Sequence, residues 1–211
     1  MQGKSLQRPN MAYYMKPRQS TATIPYLPII GELKDGRQAV IDLYKAEEHE
    51  ADLHRILKRI VEDGDAYPQE SVDSVEEFRA FYTTFDVFVC KDYDTGKVFG
   101  AFYVKPNYPG RSSHYSNGGF IVDHAARGRG VGQFMGRNYL YIARDLGYRA
   151  SLFNLVYVSN VASLRLWRKL GFTELAVLPK VGNLKGQDGY VDAIQFYYDL
   201  TTVTGHPVNS S

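Results

Sequence analysis

The chain has 211 residues, of which 25 are Lys or Arg and 23 are Asp or Glu, and 44% of its residues are hydrophobic. This length suits one domain of ordinary size with a full hydrophobic core. The near balance of charge argues against a nucleic-acid-binding protein, which would carry a clear basic excess, and no apolar run approaches the roughly 20 residues needed to cross a bilayer. We therefore expect neither a nucleic-acid partner nor a membrane association.

Both ends of the chain are expected to lie outside the folded domain. Residues 1–22 are basic and predict an arm that is either flexible or packed on the body, and no acid occurs before Glu32. A mitochondrial targeting segment is an alternative for this start, although a clear amphipathic period is missing. Residues 204–211 predict a disordered tail.

The single cysteine, Cys90, excludes an intrachain disulfide and favours a reducing compartment. Without a secretory signal pattern, the prediction is a cytoplasmic location. Cys90 ends the apolar run 87–90, which predicts a buried structural thiol rather than a nucleophile, because apolar surroundings suppress the thiolate.

Residues 23–203 are predicted to form one domain. The apolar runs 27–31 and 38–42 flank a turn and predict a hairpin, although residues 38–42 could instead open a helix. Apolar residues at helical spacing predict a helix over 43–63 that ends at Gly64. Ser74 and Glu77 have the spacing of a capping box and predict a helix to about residue 84.

Strands and helices alternate in the second half of the chain, beginning with a hairpin and continuing as a β-α-β unit, which predicts the α/β class. The predicted strands are 86–91, 98–104, 118–122, 152–158, and two near 173–178 and 191–199, with a long loop over 105–116. The predicted helices are 131–146 and one that Asn160 opens and Gly171 closes.

The segment from Val122 to Gly132 joins a predicted strand to a predicted helix and contains Gly128, Gly130 and Gly132. Backbone N–H groups of such a loop, together with the positive end of the helix, form a receptor for phosphate. The spacing fits neither the dinucleotide fingerprint nor the Walker loop. The plain alternative is a helix entry that needs flexible glycines.

A second segment, Asn160 to Phe172, follows one strand later. Together the two segments resemble the GCN5-related N-acetyltransferase (GNAT) family. The acetyl-CoA loop pattern of the family, Arg/Gln-x-x-Gly-x-Gly/Ala, is matched by Arg127, Gly130 and Gly132. Its second block is matched by Asn160, Ser163, Lys169, Gly171 and Phe172.

A closer resemblance, over roughly residues 65–200, is to the fungal acetyltransferases that detoxify proline analogues such as azetidine-2-carboxylate. It is carried by Tyr67-Pro68-Gln69, Phe102 to Tyr108, Ser113-His114, Asn117 to Phe120, Leu146 to Tyr148 and Phe153 to Val158. This likeness implies a mixed α/β sheet with two splayed central parallel strands. It also implies direct acetyl transfer from acetyl-CoA to a small cyclic amino acid in a ternary complex, and a homodimer.

The resemblance places acetyl-CoA between strands 118–122 and 152–158. It implies that backbone groups of Phe120, Ile121 and Val122 pair with the pantetheine, and that Asn160 and Ser163 contact the coenzyme. The amides implied to hold the pyrophosphate belong to Arg127, Gly128, Arg129, Gly130, Val131 and Gly132. Asn160 could instead be an N-cap alone, and Arg129 could be a surface arginine.

Three further residues would hold the amine substrate by the same resemblance. Asn117 would orient the amine through its side-chain carbonyl, while Asn154 and the backbone N–H of Leu155 would bind the carboxylate. The alternatives are a turn residue for Asn117 and a structural hydrogen-bond network for Asn154. A period of two places Asn154 on the strand face that carries residues 152, 156 and 158.

The chain also departs from the family pattern. Trp167 stands where many members have a tyrosine that protonates the CoA thiolate, so the acid for this step is unassigned. The glutamate that serves as a base in other members, on the strand before the glycine loop, is also missing. The five histidines show no metal-ligand spacing, which predicts no metal. Two other functions stay open: acetylation of a polyamine or protein, for which the run 47–50 would offer acids, and a non-catalytic acetyl-CoA sensor.

Overall fold

The computed structural model describes Met15 and residues 24–207. These residues form one eight-stranded sheet with four α-helices, which confirms the mixed α/β class. The strands are β1 (Ile29–Glu32), β2 (Gln38–Leu43), β3 (Asp86–Asp92), β4 (Val98–Pro106), β5 (Tyr115–Val122), β6 (Ala150–Tyr157), β7 (Thr173–Gly182) and β8 (Val191–Asp199). The helices are α1 (Ala46–Asp63), α2 (Val75–Tyr82), α3 (Val131–Asp145) and α4 (Val161–Lys169).

The sheet has the order β1-β2-β3-β4-β5-β6-β8-β7. All neighbouring strands are antiparallel except β5 and β6, which are parallel. This parallel pair is registered only at Tyr115 with Ala150 and at Ser116 with Ser151. Beyond these two positions the strands diverge, so the expected splay is present in the middle of the sheet.

Helices cover both faces of the sheet, because side chains alternate along each strand. On one face Val89, Ala101 and Ile121 pack with residues of α1 and α2. On the other, Phe88 and Phe102 pack with residues of α3 and α4. Cys90 belongs to this second core, and burial raises the pKa of its thiol, which agrees with the structural thiol predicted from the sequence.

The amino-terminal elements follow the prediction closely. Residues 38–43 form a strand between β1 and β3, so the helical alternative for this segment is wrong. The capping box at α2 is complete, since Ser74 Oγ accepts from Glu77 N at 3.1 Å and Glu77 Oε2 accepts from Ser74 N at 3.2 Å. Helix α2 ends at Tyr82, and the Thr84 hydroxyl donates to the carbonyl of Ala80.

The predicted loop over 105–116 is shorter in the structure. Strand β4 continues to Pro106 and β5 begins at Tyr115, because Lys105 pairs with Asn117 and Pro106 with Ser116. The sequence did not predict that β4 and β5 pair at these ends, because the residues there are polar and the sequence signal for a strand is apolar alternation. Strand β7 likewise extends to Gly182 rather than ending near 178.

The carboxyl-terminal segment is ordered further than predicted. Arg144 of α3 donates to the carbonyls of Val203 at 3.0 Å and Gly205 at 2.8 Å, and the ring of His206 lies 5.5 Å from that of Tyr26. Residues 204–207, which were predicted to be disordered, thus contact the folded body through the Gly205 carbonyl and the His206 ring. The predicted arm 1–22, apart from Met15, and residues 208–211 lie outside the described residues.

In the described part of the chain, no helix combines the length and the apolar character that a membrane span requires.

Candidate active site

A cleft of about 870 Å³ opens where β5 and β6 diverge. Its walls come from these two strands, the glycine-rich loop, the start of α4 and the loop before α2. The hydroxyl of Tyr139, on α3, lies 3.0 Å from Ser116 Oγ and 2.8 Å from Ser151 Oγ. Since Ser116 and Ser151 are the last paired residues, this buried network holds the strands together at the point where the cleft begins.

Strand β5 offers backbone hydrogen-bonding groups to the cleft. Asn107 N donates to Tyr115 O and Asp123 N donates to Phe99 O, so odd-numbered residues of this segment direct their backbone groups toward β4. By alternation, the groups of Gly118, Phe120 and Val122 face β6. The Phe120 carbonyl accepts from Tyr67 Oη at 3.1 Å.

Ile121 differs from its two neighbours. Its side chain is fully buried in the core under α1, and its backbone belongs to the odd-numbered set that pairs with β4. The implied pairing of all three residues with pantetheine therefore needs correction, because a strand presents alternate residues to one side. Of these three residues, Phe120 and Val122 present backbone groups to the cleft, and Ile121 does not.

The glycine-rich loop has the shape of an anion receptor. Gly130 is the N-cap of α3 with φ 93°, and Gly128 has φ 78°, a region that other residues rarely adopt. The turn between β1 and β2 supports the loop, since Lys34 N donates to the carbonyl of Arg129 at 3.0 Å. Free amides at the first turn of α3 add the positive end of the helix dipole.

The two arginines of this loop lie in different surroundings. Arg127 is exposed and lines the cleft. Arg129 does not line it, and its Nε lies 3.9 Å from Asp35 Oδ2 in the β1–β2 turn. The structure therefore favours the interpretation of the Arg129 side chain as a surface group, while its backbone remains part of the loop.

The start of α4 completes this half of the cleft. Asn160 caps the helix, because its Oδ1 accepts from Ser163 N at 3.1 Å, and both residues line the cleft. Two buried side-chain atoms in the described residues have no hydrogen-bond partner, Ser159 Oγ and Gln69 Oε1, and both residues also line the cleft. Buried polar groups are normally satisfied, so these orphaned atoms fit a polar ligand.

Three asparagines meet at the other half of the cleft. Asn107 Oδ1 accepts from Asn117 Nδ2 at 3.1 Å and from Asn154 Nδ2 at 2.6 Å. Asn107 Nδ2 donates to Asn154 Oδ1 at 3.1 Å. Asn117 and Asn154, which the resemblance nominated from separate strands, are thus brought together by a residue to which sequence reasoning assigned no role.

Both amides that line the cleft keep capacity for a ligand. Asn117 Oδ1 has no hydrogen-bond partner among residues 24–207, and Asn154 Nδ2 uses one of its two N–H groups on Asn107. The cluster therefore offers one free acceptor from β5 and one free donor from β6. The network alternative for Asn154 is present in the structure, and it leaves the anchoring role open.

A β-bulge positions Asn154 and Leu155. Phe153 pairs with Phe196 and Val156 pairs with Ile194. Asn154 and Leu155, which lie between them, therefore face the single residue 195 of β8. Phe153 and Val156, three positions apart, consequently lie in the same core, and the predicted alternation around Asn154 is wrong. An extra residue in one strand re-aims the side chains around it.

Aromatic side chains form the wall beside the asparagines. The rings of Tyr67 and Phe81 lie 6.2 Å apart and those of Phe81 and Tyr103 lie 6.4 Å apart, both edge to face. All three residues line the cleft. Desolvation raises the pKa of Tyr67 and of Tyr103, so both phenols are neutral and can donate hydrogen bonds.

Trp167 packs in the core beneath the cleft. It is 5% exposed, and its ring lies 4.9 Å from that of Phe120 and 4.6 Å from that of Phe153. Its contacts are those of an apolar wedge, and an indole N–H is a poor acid.

Near the loop, His124 pairs with Asp63 at 2.6 Å on the surface of α1.

Among the described residues, no three His, Cys, Asp or Glu side chains group as metal ligands would.

A mixed sheet with two diverging parallel strands and a glycine-rich anion loop at a helix N-terminus defines a CoA-dependent acyltransferase class. The profile of the acetyltransferase (GNAT) family matches residues 39–172. The chain belongs to this family, and it is an acetyl-CoA-dependent N-acetyltransferase, as the sequence motifs led us to expect.

Individual relatives agree with this assignment. N-acetyltransferase aca1 of Schizosaccharomyces pombe is 37% identical over 159 residues, covering 68% of this chain and 76% of its own. A GCN5-related N-acetyltransferase from Kribbella flavida superposes with a TM-score of 0.72 at 27% identity, over 76% of this chain and 97% of that one. A phosphinothricin acetyltransferase from Sinorhizobium meliloti, solved with acetyl-CoA, shares the fold with a TM-score of 0.69 at 20% identity, over 76% and 88%.

Proposed function

We propose that this enzyme moves the acetyl group of acetyl-CoA to the amine of a small cyclic amino acid, of the kind of azetidine-2-carboxylate. The observation that carries the proposal is the asparagine cluster, which brings a free carbonyl of Asn117 and a free N–H of Asn154 into one cleft. A substrate with an amine and a carboxylate on one small ring needs an acceptor for the amine and a donor for the carboxylate. The aromatic wall suits the ring itself.

Acetyl-CoA is the co-substrate and takes the other half of the cleft. Backbone groups of Phe120 and Val122 support pairing with the pantetheine arm as an added strand would pair. The amides of residues 127–132 support binding of the pyrophosphate at the positive end of α3. Asn160 and Ser163 line the same wall, where the Nδ2 group of Asn160 and the hydroxyl of Ser163 are available to the coenzyme.

The reaction needs only direct attack within the ternary complex. The neutral amine attacks the thioester carbonyl, a C–N bond forms, the C–S bond breaks, and the amine proton passes to water. Asn117 Oδ1 accepts an N–H of the amine and so fixes the direction of its lone pair, because an amide is too weak a base to remove the proton itself. The CoA thiolate can leave without a strong acid, and because the indole of Trp167 is a poor one, the acid that protonates the thiolate stays unassigned.

The charges at the cleft weigh against a polyamine or a basic peptide as substrate. Among its lining residues Lys105 and Arg127 are cationic and Asp65 is acidic, and of these three only Lys105 is partly buried. The acidic run 47–50 lies on α1 and does not line the cleft, and Glu50 is held there by Arg79 at 2.7 Å. A cationic substrate would meet the partly buried ammonium of Lys105 on the substrate side of the cleft, which is unfavourable.

Titration of released CoA with a thiol reagent tests the proposal. With acetyl-CoA and azetidine-2-carboxylate, we expect wild-type turnover well above the buffer rate, and Asn154→Ala should raise KM for the amino acid about tenfold or more through loss of a hydrogen bond to a charged group. Asn183→Ala, an exposed asparagine outside the cleft, is the matched control. Tight acetyl-CoA binding without turnover on any amine would instead favour the sensor.

We also propose a homodimer, built on β7. This strand is the edge of the sheet, and it exposes Leu175, Val177 and Val181 by 54%, 58% and 43%. A long apolar edge is rare in a monomer, because its unpaired backbone invites pairing with another chain. A cytoplasmic location stays a prediction that rests on the single cysteine.

A further inference from the structure

Lys105 stands on the substrate side of the cleft. It lies on β4 directly opposite Asn117 of β5, so both side chains emerge on the same face of the sheet. Its Nζ is 5.0 Å from the centroid of the Tyr103 ring, two residues earlier on the same face. Lys105, Tyr103, Asn117 and Asn154 all line the cleft, which places an ammonium group beside the asparagine cluster.

Among the described residues, this ammonium has no counter-ion. Lys105 forms no ion pair with any acid in residues 24–207, and desolvation is the cause that lowers the pKa of its side chain. The exposed Asp65 is the acid among the residues that line the cleft. Keeping a cation partly out of water without a partner costs free energy, and proteins seldom maintain such a group where it has no anion to meet.

We propose that Lys105 supplies the positive charge that binds the carboxylate of the amine substrate, and that it thereby selects amines which carry a carboxylate. This inference rests on the proposed function and adds a residue and a selection rule to it. Asn154 and Leu155 offer neutral N–H donors, which orient an anion but do not offset its loss of hydration. A cation at the same wall does, because Coulomb attraction strengthens as water is excluded.

The test compares each variant on a carboxylate and on its neutral amide. Steady-state kinetics are measured with azetidine-2-carboxylate and azetidine-2-carboxamide for the wild type, Lys105→Met and Lys105→Arg. We expect Lys105→Met to raise KM for the carboxylate by about 10- to 100-fold and to change KM for the carboxamide by less than about twofold, while Lys105→Arg restores most of the loss. Lys97→Met, at an exposed lysine in the turn between β3 and β4, is the matched control.

Several outcomes would overturn the inference. Equal effects of Lys105→Met on both ligands would make the lysine a structural support for Tyr103. A loss of kcat that Lys105→Arg does not rescue, with a changed pH profile of kcat, would make it a base. A wild type that prefers the carboxamide would also contradict it.

The proposed function can fail separately. If the wild type acetylates only another amino acid, the cyclic substrate is wrong and the same comparison is run on that amino acid and its amide. If it acetylates only amines without a carboxylate, both proposals fall. Where no turnover occurs, calorimetric titration of the two azetidines onto the CoA-loaded wild type and Lys105→Met protein decides: selective loss of carboxylate binding supports Lys105, and equal or absent binding overturns it.

Discussion

Asn107 shows how a single amide can organise a site. Its Oδ1 is shared by Asn117 and Asn154, so one residue sets the orientation of two candidate substrate ligands. The family resemblance assigned roles to Asn117 and Asn154, whereas Asn107 lay in a segment predicted to be a loop. Only the pairing of β4 with β5 brings it to the cleft, and that pairing leaves no local pattern in polar residues.

Replacing Asn107 should therefore affect the amine and spare the coenzyme. We expect Asn107→Ala to lower kcat/KM for the amino acid about tenfold or more, because Asn117 loses one hydrogen bond and Asn154 loses two, worth about 1 kcal/mol each. KM for acetyl-CoA should stay within about twofold. Equal damage to both substrates, or a large fall in thermal stability, would show that Asn107 serves the fold alone.

His49 makes stability depend on pH. It is 3% exposed, its Nδ1 accepts from Lys45 N at 3.0 Å, and its Nε2 lies 3.4 Å from Lys91 Nζ and 3.6 Å from Glu48 Oε2. Desolvation, and then the charge of Lys91, lower the pKa of the ring below its usual value near 6.5. The unfolded chain therefore binds the proton first as the pH falls.

The free energy of unfolding should accordingly decline as the pH drops below about 6.5, by up to about 1.4 kcal/mol per pH unit from this group. Urea unfolding between pH 7.5 and 5.5 measures the slope. His49→Gln, which keeps an acceptor near Lys45 N, should flatten it. The same slope in both proteins would assign the effect to other groups.

At the scale of elements, the motifs located the strands, the helices and the glycine loop, because apolar periodicity and caps are local signals. They did not locate the bulge at Asn154 and Leu155, since a bulge depends on the register of β6 against β8. The family resemblance implied that the backbone of Ile121 pairs with pantetheine, but strand alternation directs that backbone toward β4. The divergence of β5 from β6 entered only through the family resemblance, and the structure ties it to the network of Tyr139.

The glycine loop yields a prediction about one backbone position. At Gly130, with φ 93°, a Cβ would lie 3.1 Å from the backbone nitrogen of Lys34. Gly130→Ala should disturb the amides at the start of α3 and raise KM for acetyl-CoA about tenfold or more, since left-handed backbone costs a side chain about 1–2 kcal/mol and the Lys34 contact adds to it.

Gly96→Ala is the matched control for this variant. Gly96 also has a positive φ, 70°, but a Cβ there meets nothing within 4 Å and the turn between β3 and β4 does not line the cleft. It should lose similar stability and keep its KM for acetyl-CoA. An unchanged KM in Gly130→Ala would remove the loop from coenzyme binding.

At the scale of the whole molecule, eight strands form an open sheet whose β7 edge is unpaired within the described chain. Light scattering after gel filtration should give the mass of two chains. Val177→Lys, which places a charge on this edge, should shift the protein toward one chain, because inward or edge charges oppose strand pairing. Leu43→Lys, at a residue 51% exposed on β2, is the control and should remain a dimer.

A wild type with the mass of one chain would contradict the homodimer, and a Val177→Lys protein that still dimerises would place the interface elsewhere. The homodimer was implied by resemblance alone. The exposed β7 residues give it a physical reason, which no local sequence pattern could provide, since the same alternation of Leu175 and Val177 suits a buried strand.

Taken together, the asparagines and Lys105 assign to the cleft between β5 and β6 the acetylation of a small amine that carries a carboxylate. A competition experiment tests this assignment. The enzyme receives limiting acetyl-CoA and an equimolar mixture of azetidine-2-carboxylate, spermidine and a lysine-containing peptide, and mass spectrometry quantifies the products. The asparagine cluster and the ammonium of Lys105 predict that N-acetylazetidine-2-carboxylate is the main product. Acetylspermidine or acetylated peptide as the main product, or no product at all, would contradict the claim.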